Sequence, residues 1–162
     1  MATDAPMELG MVGLGRMGAN IVRRIMKDGH SAVVYDVSAD AVAGLEAEGA
    51  AGSTDLAEFV KKMKRPRNVW IMVPAGRITD SVVTELAGLL EPGDAIIDGG
   101  NSYYHDDIRH AANLAEKGIH FVDCGTSGGV WGLERGYCLM IGGPDEAVDR
   151  LRPIWRSVAP GV

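Results

Sequence analysis

The chain has 162 residues, with 16 Lys and Arg against 22 Asp and Glu, for a formal net charge of −6. The length is about that of one domain, the acidic balance argues against a nucleic-acid or membrane-surface binder, which would present a basic face, and no apolar run reaches the ~18 residues of a transmembrane helix. Met1–Gly10 lacks the basic-then-apolar pattern of a secretory signal. Two cysteines, Cys124 and Cys138, cannot make a disulfide framework, so a reducing, cytoplasmic compartment is expected. Glycine is the abnormal count, at 22 of 162, about twice its usual share. It implies tight turns and places where something approaches the backbone.

In chain order, Met7–Val12 reads as a strand and Gly13–Gly18 as a tight connection. Asn20–Lys27 reads as a helix with Ile21, Val22 and Ile25 on one side and Arg23, Arg24 and Lys27 elsewhere, capped near Gly29. Ser31–Tyr35 is a second strand, and Ser38 caps a helix through Leu45 that Gly49 ends. Ala50-Ala51 is a very short strand. Ser53 or Thr54 caps a helix burying Leu56, Phe59, Val60 and Met63. A basic turn, Lys61 to Arg67, leads to the strand Val69–Val73 and the helix Ile78–Leu90. After the turn Glu91–Asp94 come the strand Ala95–Ile97, the loop Asp98–Ser102, the helix His105–Lys117 and the strand Ile119–Val122. Gly125–Gly136 is a glycine-rich connection, Cys138–Ile141 the last strand, Pro144 a first-turn proline and Pro153 a break. Strands with little internal alternation, separated by helices, predict a Rossmann-like α/β fold: a doubly wound, mainly parallel sheet with helices on both faces.

Gly13-Leu14-Gly15-Arg16-Met17-Gly18 fits G-x-G-x-x-G. A chain this rich in glycine contains about 0.4 such matches by chance, so context decides. The match lies between a strand and a helix. Asp36 ends the next strand, where a dinucleotide site needs an acid for the ribose hydroxyls. Gly13 makes the turn, Gly15 lets backbone meet pyrophosphate, Gly18 lets helix and strand pack, and the helix N-terminus faces the phosphates. A bare βα turn and a methyltransferase-type nucleoside site are the alternatives. Asp36 suits ribose hydroxyls and repels a 2′-phosphate, and Val37-Ser38 supplies no guanidinium, so NAD is expected over NADP.

The later loops are expected at the same sheet edge. Met72–Gly76, Asp98–Ser102 and Gly125–Gly129 offer Asn101, Ser127 and the backbone of Gly128 and Gly129 to a small, oxygen-rich, anionic substrate. Gly99 and Gly100 read equally well as plain turn residues. Cys124 reads as a structural thiol. His30, His105, His110 and His120 lack metal-ligand spacing, and only His105 is near enough to the Asn101 loop to be a substrate neighbour. Trp131 reads either as a lid or domain contact or as packing.

The motifs GMVGLGRMGANIVRR, IIDGGNS, GTSGGVWG and LMIGG resemble the N-terminal domain of decarboxylating 6-phosphogluconate dehydrogenases, from Met7 to about Gly161. Hydroxyisobutyrate-type relatives share the first and third motifs but differ at Asp98–Ser102, and a cofactor domain of that type, or a stand-alone NAD-binding module, is the alternative. By the resemblance, Gly13, Leu14, Gly15, Arg16, Met17, Gly18, Asp36 and Val37 hold the dinucleotide, and Val73, Pro74 and Ala75 lie along it. Asn101, Ser127, Gly128 and Gly129 contact 6-phosphogluconate, with Asn101 also near the nicotinamide. NADP-using members commonly carry Asn-Arg-Thr where this chain has Asp36-Val37-Ser38, and many longer members carry Lys where this chain has Pro74; both departures point to the NAD-preferring, shorter branch.

The family's chemistry removes the C3 hydroxyl proton with a lysine as hydride leaves, loses carbon dioxide from the 3-keto acid, and protonates the enediol with a glutamate to give ribulose 5-phosphate. The resemblance puts both residues in a helical domain that follows, which also carries homo-oligomerisation. Lys27, Lys61, Lys62, Lys64 and Lys117 all precede the last glycine loop, and none stands in that position. Residues 1–162 therefore read as a dinucleotide-binding domain without catalytic residues, a metal, or a nucleic-acid or membrane partner, inactive by itself.

Overall fold

The computed structural model describes residues 5–73, 76–100, 104–128 and 131–160, with only the backbone of 104, 105 and 107. Pro74, Ala75, Asn101 and Gly129, and the His105 side chain, lie outside the described residues. The strands are β1 (Glu8–Val12), β2 (Ser31–Tyr35), β3 (Ala51–Ser53), β4 (Asn68–Ile71), β5 (Ala95–Asp98), β6 (His120–Ser127) and β7 (Cys138–Gly142). The helices are α1 (Arg16–Lys27), α2 (Ala39–Glu46), α3 (Leu56–Lys61), α4 (Arg77–Leu89), α5 (Tyr104–Ala115), α6 (Gly132–Arg135), α7 (Asp145–Arg150) and α8 (Arg152–Val158).

The sheet order is β3-β2-β1-β4-β5-β6-β7. The first six strands are parallel, and β7 is antiparallel to β6. This is the expected doubly wound fold, which reverses direction between β1 and β4. Strand residues alternate between two cores. Leu9, Met11, Ala32, Val34, Trp70, Ile97, Val122 and Cys124 join α1, α2, α7 and α8 on one face. Val12, Val33, Val69, Ile71, Ile96 and Phe121 join α3, α4 and α5 on the other. Burial on both faces explains why the strands read as continuous apolar runs. Ile21, Val22 and Ile25 are fully buried, each stabilising by about 1.5–3 kcal/mol.

Several boundaries move. α1 begins at Arg16 rather than Asn20, because its first turn docks through the small residues Gly18 and Ala19. Its C-cap is Asp28. Gly29 follows at φ +95°, and the amides of Gly29 and His30 donate to Met26 O and Ile25 O at 3.0 Å each, a paired C-terminal cap. Asp55, not Ser53 or Thr54, caps α3, its carboxylate accepting from the Glu58 amide at 2.9 Å. β6 runs to Ser127, so the expected glycine-rich connection is shorter and contains α6. Pro144 precedes α7 as its N-cap, and Pro153 sits in the first turn of a separate helix, α8.

Candidate functional site

The parallel strands bring the loops after β1, β2, β4 and β5 to one edge. At the first of these, Gly13 has φ +97°, and its amide donates to Tyr35 O at 2.9 Å. A Cβ there would lie 2.3 Å from Met72 O, and a Cβ on Gly18 would lie 2.0 Å from Gly13 O. Both glycines are thus fixed by backbone crowding among β1, β4 and α1. Gly15 differs. It is the N-cap of α1 without a side-chain cap, is exposed, and has nothing within 4 Å of where a Cβ would stand. The first-turn amides of α1 have no acceptor within the helix, no acidic side chain occupies that turn, and the dipole is positive there. The turn can receive phosphate oxygens through bare backbone.

Asp36 stands across from that turn. Its Oδ2 accepts from the Leu14 amide at 2.8 Å and its Oδ1 from the Ser38 amide at 2.8 Å. The carboxylate so ties the glycine loop to the start of α2, and an ionised carboxylate has further lone pairs for two hydroxyls. Between them lies a cleft of about 350 Å³ lined by Val12–Gly15, Tyr35, Asp36, Val37, Met72, Val73, Ile78 and Val82. Val37 is 86% and Ile78 52% exposed, forming an apolar rim able to sandwich a flat ring. Burial, then the charges of Glu85, Asp36 and Asp55, raise the Tyr35 phenol above its ordinary range, so the field at this wall is negative. A larger cleft of about 680 Å³ lies between α5, the first half of β6 and the β7–α7 turn, and contains none of the expected site residues.

The second constellation is described in part. Asp98 Oδ1 accepts from the Gly100 amide at 3.0 Å. A Cβ on Gly99 would meet the Trp70 indole nitrogen at 2.0 Å, so the buried Trp70 demands glycine there. β6 pairs with β5 only as far as Asp123, and its last four residues pair with β7, ending at Ser127 opposite Cys138. That overhang carries the exposed Ser127 and half-buried Gly128 about 13 Å beyond the end of β5. Asn101 and Gly129, expected here, and Pro74 and Ala75, expected along the dinucleotide, lie outside the described residues.

The remaining candidates separate cleanly. Cys124 is fully buried, and burial pushes its thiol up to about 12, which suits packing and not nucleophilic attack. No group of three His, Cys, Asp or Glu among the described residues could hold a metal ion. His30 accepts from the Met7 amide, and His110 Nε2 lies 2.8 Å from Asp80. Trp131 is 55% exposed, with the Arg135 guanidinium 5.1 Å from its ring centroid. All five lysines sit in or just after the last turns of α1, α3 and α5. In βα units those turns point to the opposite edge of the sheet, about 18 Å away for a twelve-residue helix. Sequence reading missed Tyr35, Ile78 and Val82 in the cleft; the apolar positions at the start of a helix after a strand were the available signal.

The profile of the family described as the NAD binding domain of 6-phosphogluconate dehydrogenase matches residues 8–162. The chain belongs to that family. A Haloferax volcanii NAD(+)-dependent, decarboxylating 6-phosphogluconate dehydrogenase is 41% identical over 96% of this chain and 51% of its own length. The chain thus spans about half the length of the curated relatives it matches first. The Plasmodium falciparum 6-phosphogluconate dehydrogenase, solved with NADP+ and with 6-phosphogluconate, superposes with a TM-score of 0.89 at 28% identity, over 96% of this chain and 34% of that one. A Salmonella typhimurium 3-hydroxyisobutyrate dehydrogenase gives 0.86 at 29% identity, over 96% and 55%. Both expected families therefore share this frame, and the relatives that carry it are oxidoreductases using NAD+ or NADP+.

Proposed function

We propose that this chain holds NAD in preference to NADP for the oxidative decarboxylation of 6-phosphogluconate, as the dinucleotide-binding part of a cytoplasmic, homo-oligomeric dehydrogenase. The observation that carries the reading is the Asp36 carboxylate bonded to the Leu14 amide beside the uncapped α1 N-terminus, in one cleft with it. Pyrophosphate fits the bare amides at Gly15, Arg16 and Met17, and the adenosine ribose fits Asp36. Adenine fits between Val37 and the Val73–Ile78–Val82 wall. A 2′-phosphate would meet the Asp36 carboxylate, which lines the cleft. Like charges at such range disfavour one another, and Val37-Ser38 offers no guanidinium.

Bound NAD supplies a hydride acceptor. The chain's own part is to hold the nicotinamide at the strand ends and offer a wall for the sugar acid from Asn101, Ser127, Gly128 and Gly129. No lysine stands at that edge, so the proton acceptor comes from residues outside the chain's described site, in the helical domain that the family resemblance implies. Acid–base groups are each worth about 10²–10⁴-fold, and this chain alone is expected to bind NAD without useful turnover.

Calorimetric titration of the chain with NAD and NADP tests the cofactor, and NADH formation by the full reading frame with 6-phosphogluconate or 3-hydroxyisobutyrate tests the substrate. NADP binding as tight as NAD, or turnover of hydroxyisobutyrate alone, would sink the respective half of the reading. Turnover by the 162-residue chain itself would show that the base lies within it.

A further inference from the structure

The sequence places Arg24 only off the apolar side of α1. In the structure its guanidinium donates to three carbonyls at once: Nη1 to Leu133 O of α6 at 3.0 Å, Nε to Ser157 O at 2.9 Å and Nη2 to Ala159 O at 3.1 Å. The carbonyl between the last two, Val158 O, accepts from the Tyr137 amide at 2.8 Å. Carbonyls at the end of α8 have no N–H donors within the helix, and Arg24 and Tyr137 satisfy them together. The fully buried Tyr137 ring also lies directly beneath the overhanging loop: a Cβ would meet it at 2.6 Å from Gly128 and 2.1 Å from Gly132. One side chain of the cofactor helix is therefore bonded to the short helix that follows Ser127–Gly128 and to the helix end that seats the loop's floor.

We propose that Arg24 is a positioning residue, which sets the Ser127–Gly128 wall against the cofactor helix. The proposal rests on the reading above for what that wall binds. It does not rest on it for the positioning itself. A planar guanidinium with five N–H donors reaches three carbonyls in fixed directions. An ammonium at the same place keeps the charge and reaches fewer of them.

Hydrogen–deuterium exchange on the chain tests this with Arg24→Met and Arg24→Lys, beside NAD titration of the same samples. In Arg24→Met, peptides covering Thr126–Gly128 and Trp131–Gly136 are expected to exchange about tenfold faster, while Glu8–Gly18 keeps its protection and NAD affinity stays within about twofold. Arg24→Lys is expected to fall between, and it carries the test should the Met variant fail to fold. Unchanged exchange at the loop would overturn the proposal. So would faster exchange spread evenly over the chain with NAD affinity lost in step, since that marks Arg24 as general scaffolding. In the full-length protein the KM for 6-phosphogluconate should rise while the KM for NAD holds. If the unaltered full-length protein does not oxidise 6-phosphogluconate, the functional reading fails and the exchange result still judges the positioning.

Discussion

On the proposed reading, replacing Asp36 by alanine removes three things of separable size. The ribose hydroxyls lose a charged acceptor, which costs about 1.5–3 kcal/mol, or roughly 10–100-fold in NAD affinity. The carboxylate's repulsion of a 2′-phosphate also vanishes, so NADP affinity should fall less than NAD affinity or rise. The Leu14 amide, in a buried residue, loses its partner at 2.8 Å and should cost about 1–3 kcal/mol of stability, whereas the exposed Ser38 amide can turn to water. A loss of that size lowers the melting temperature by about 2–4 °C per kcal/mol. Asp36→Asn separates the effects: its carbonyl oxygen can still accept from Leu14, so stability should return while discrimination stays poor. The assay is calorimetric titration with both dinucleotides, paired with thermal unfolding. Equal losses for NAD and NADP in Asp36→Ala, with the original ratio intact in Asp36→Asn, would refute the reasoning.

Other outcomes are expected from features away from the cleft. Of the two thiols, only exposed Cys138 should react with Ellman's reagent in the native state at pH 8, and Cys124 should appear on unfolding; rapid reaction of both would contradict the buried thiol. Because burial pushes the folded Cys124 thiol up to about 12 from its ordinary 9.0, the unfolded chain ionises first, and stability should decline as pH rises above about 9. Asp94→Ala should destabilise by about 3–5 kcal/mol in denaturant unfolding, since the fully buried carboxylate accepts from the Arg67 amide at 2.7 Å and the Glu91 amide at 2.9 Å and pairs with the Arg67 guanidinium at 3.3 Å. Tyr35 should ionise above the ordinary phenol range, so the stability tied to its neutral form declines as pH rises past the ordinary phenol value of 10.0, where the unfolded tyrosine ionises first. In ultraviolet titration Asp36→Ala should shift one of the four tyrosines downward.

Much of the parallel sheet was legible because each strand is a short apolar run between turn residues, and β2 matches its expected bounds outright. The glycine loop and Asp36 were legible because their roles are local: a turn, a close approach, a strand end. What escaped depends on partners far along the chain. The direction of β7 leaves no trace in Cys138–Gly142, since apolar content is indifferent to which way a strand runs. The tail of β6, Gly125-Thr126-Ser127, looks like loop until β7 supplies its pairing. The acceptors of Arg24 escaped because they lie 109 to 135 residues away. Gly99 reads in the sequence equally well as a plain turn residue for the same reason, its constraint being the Trp70 ring on a neighbouring strand.

The antiparallel β7 makes the far end of the sheet a braced cantilever. β6 projects past its parallel neighbour, and a seventh parallel strand would have needed another crossover before it could support the projection. A strand that re-enters opposite the tip, after the connection that carries α6, starts where the projection ends and pairs with it along its length. The tip can then change in length and composition without disturbing the register of the six parallel strands. The superposition on dehydrogenases named for two different acids is what a frame built this way permits.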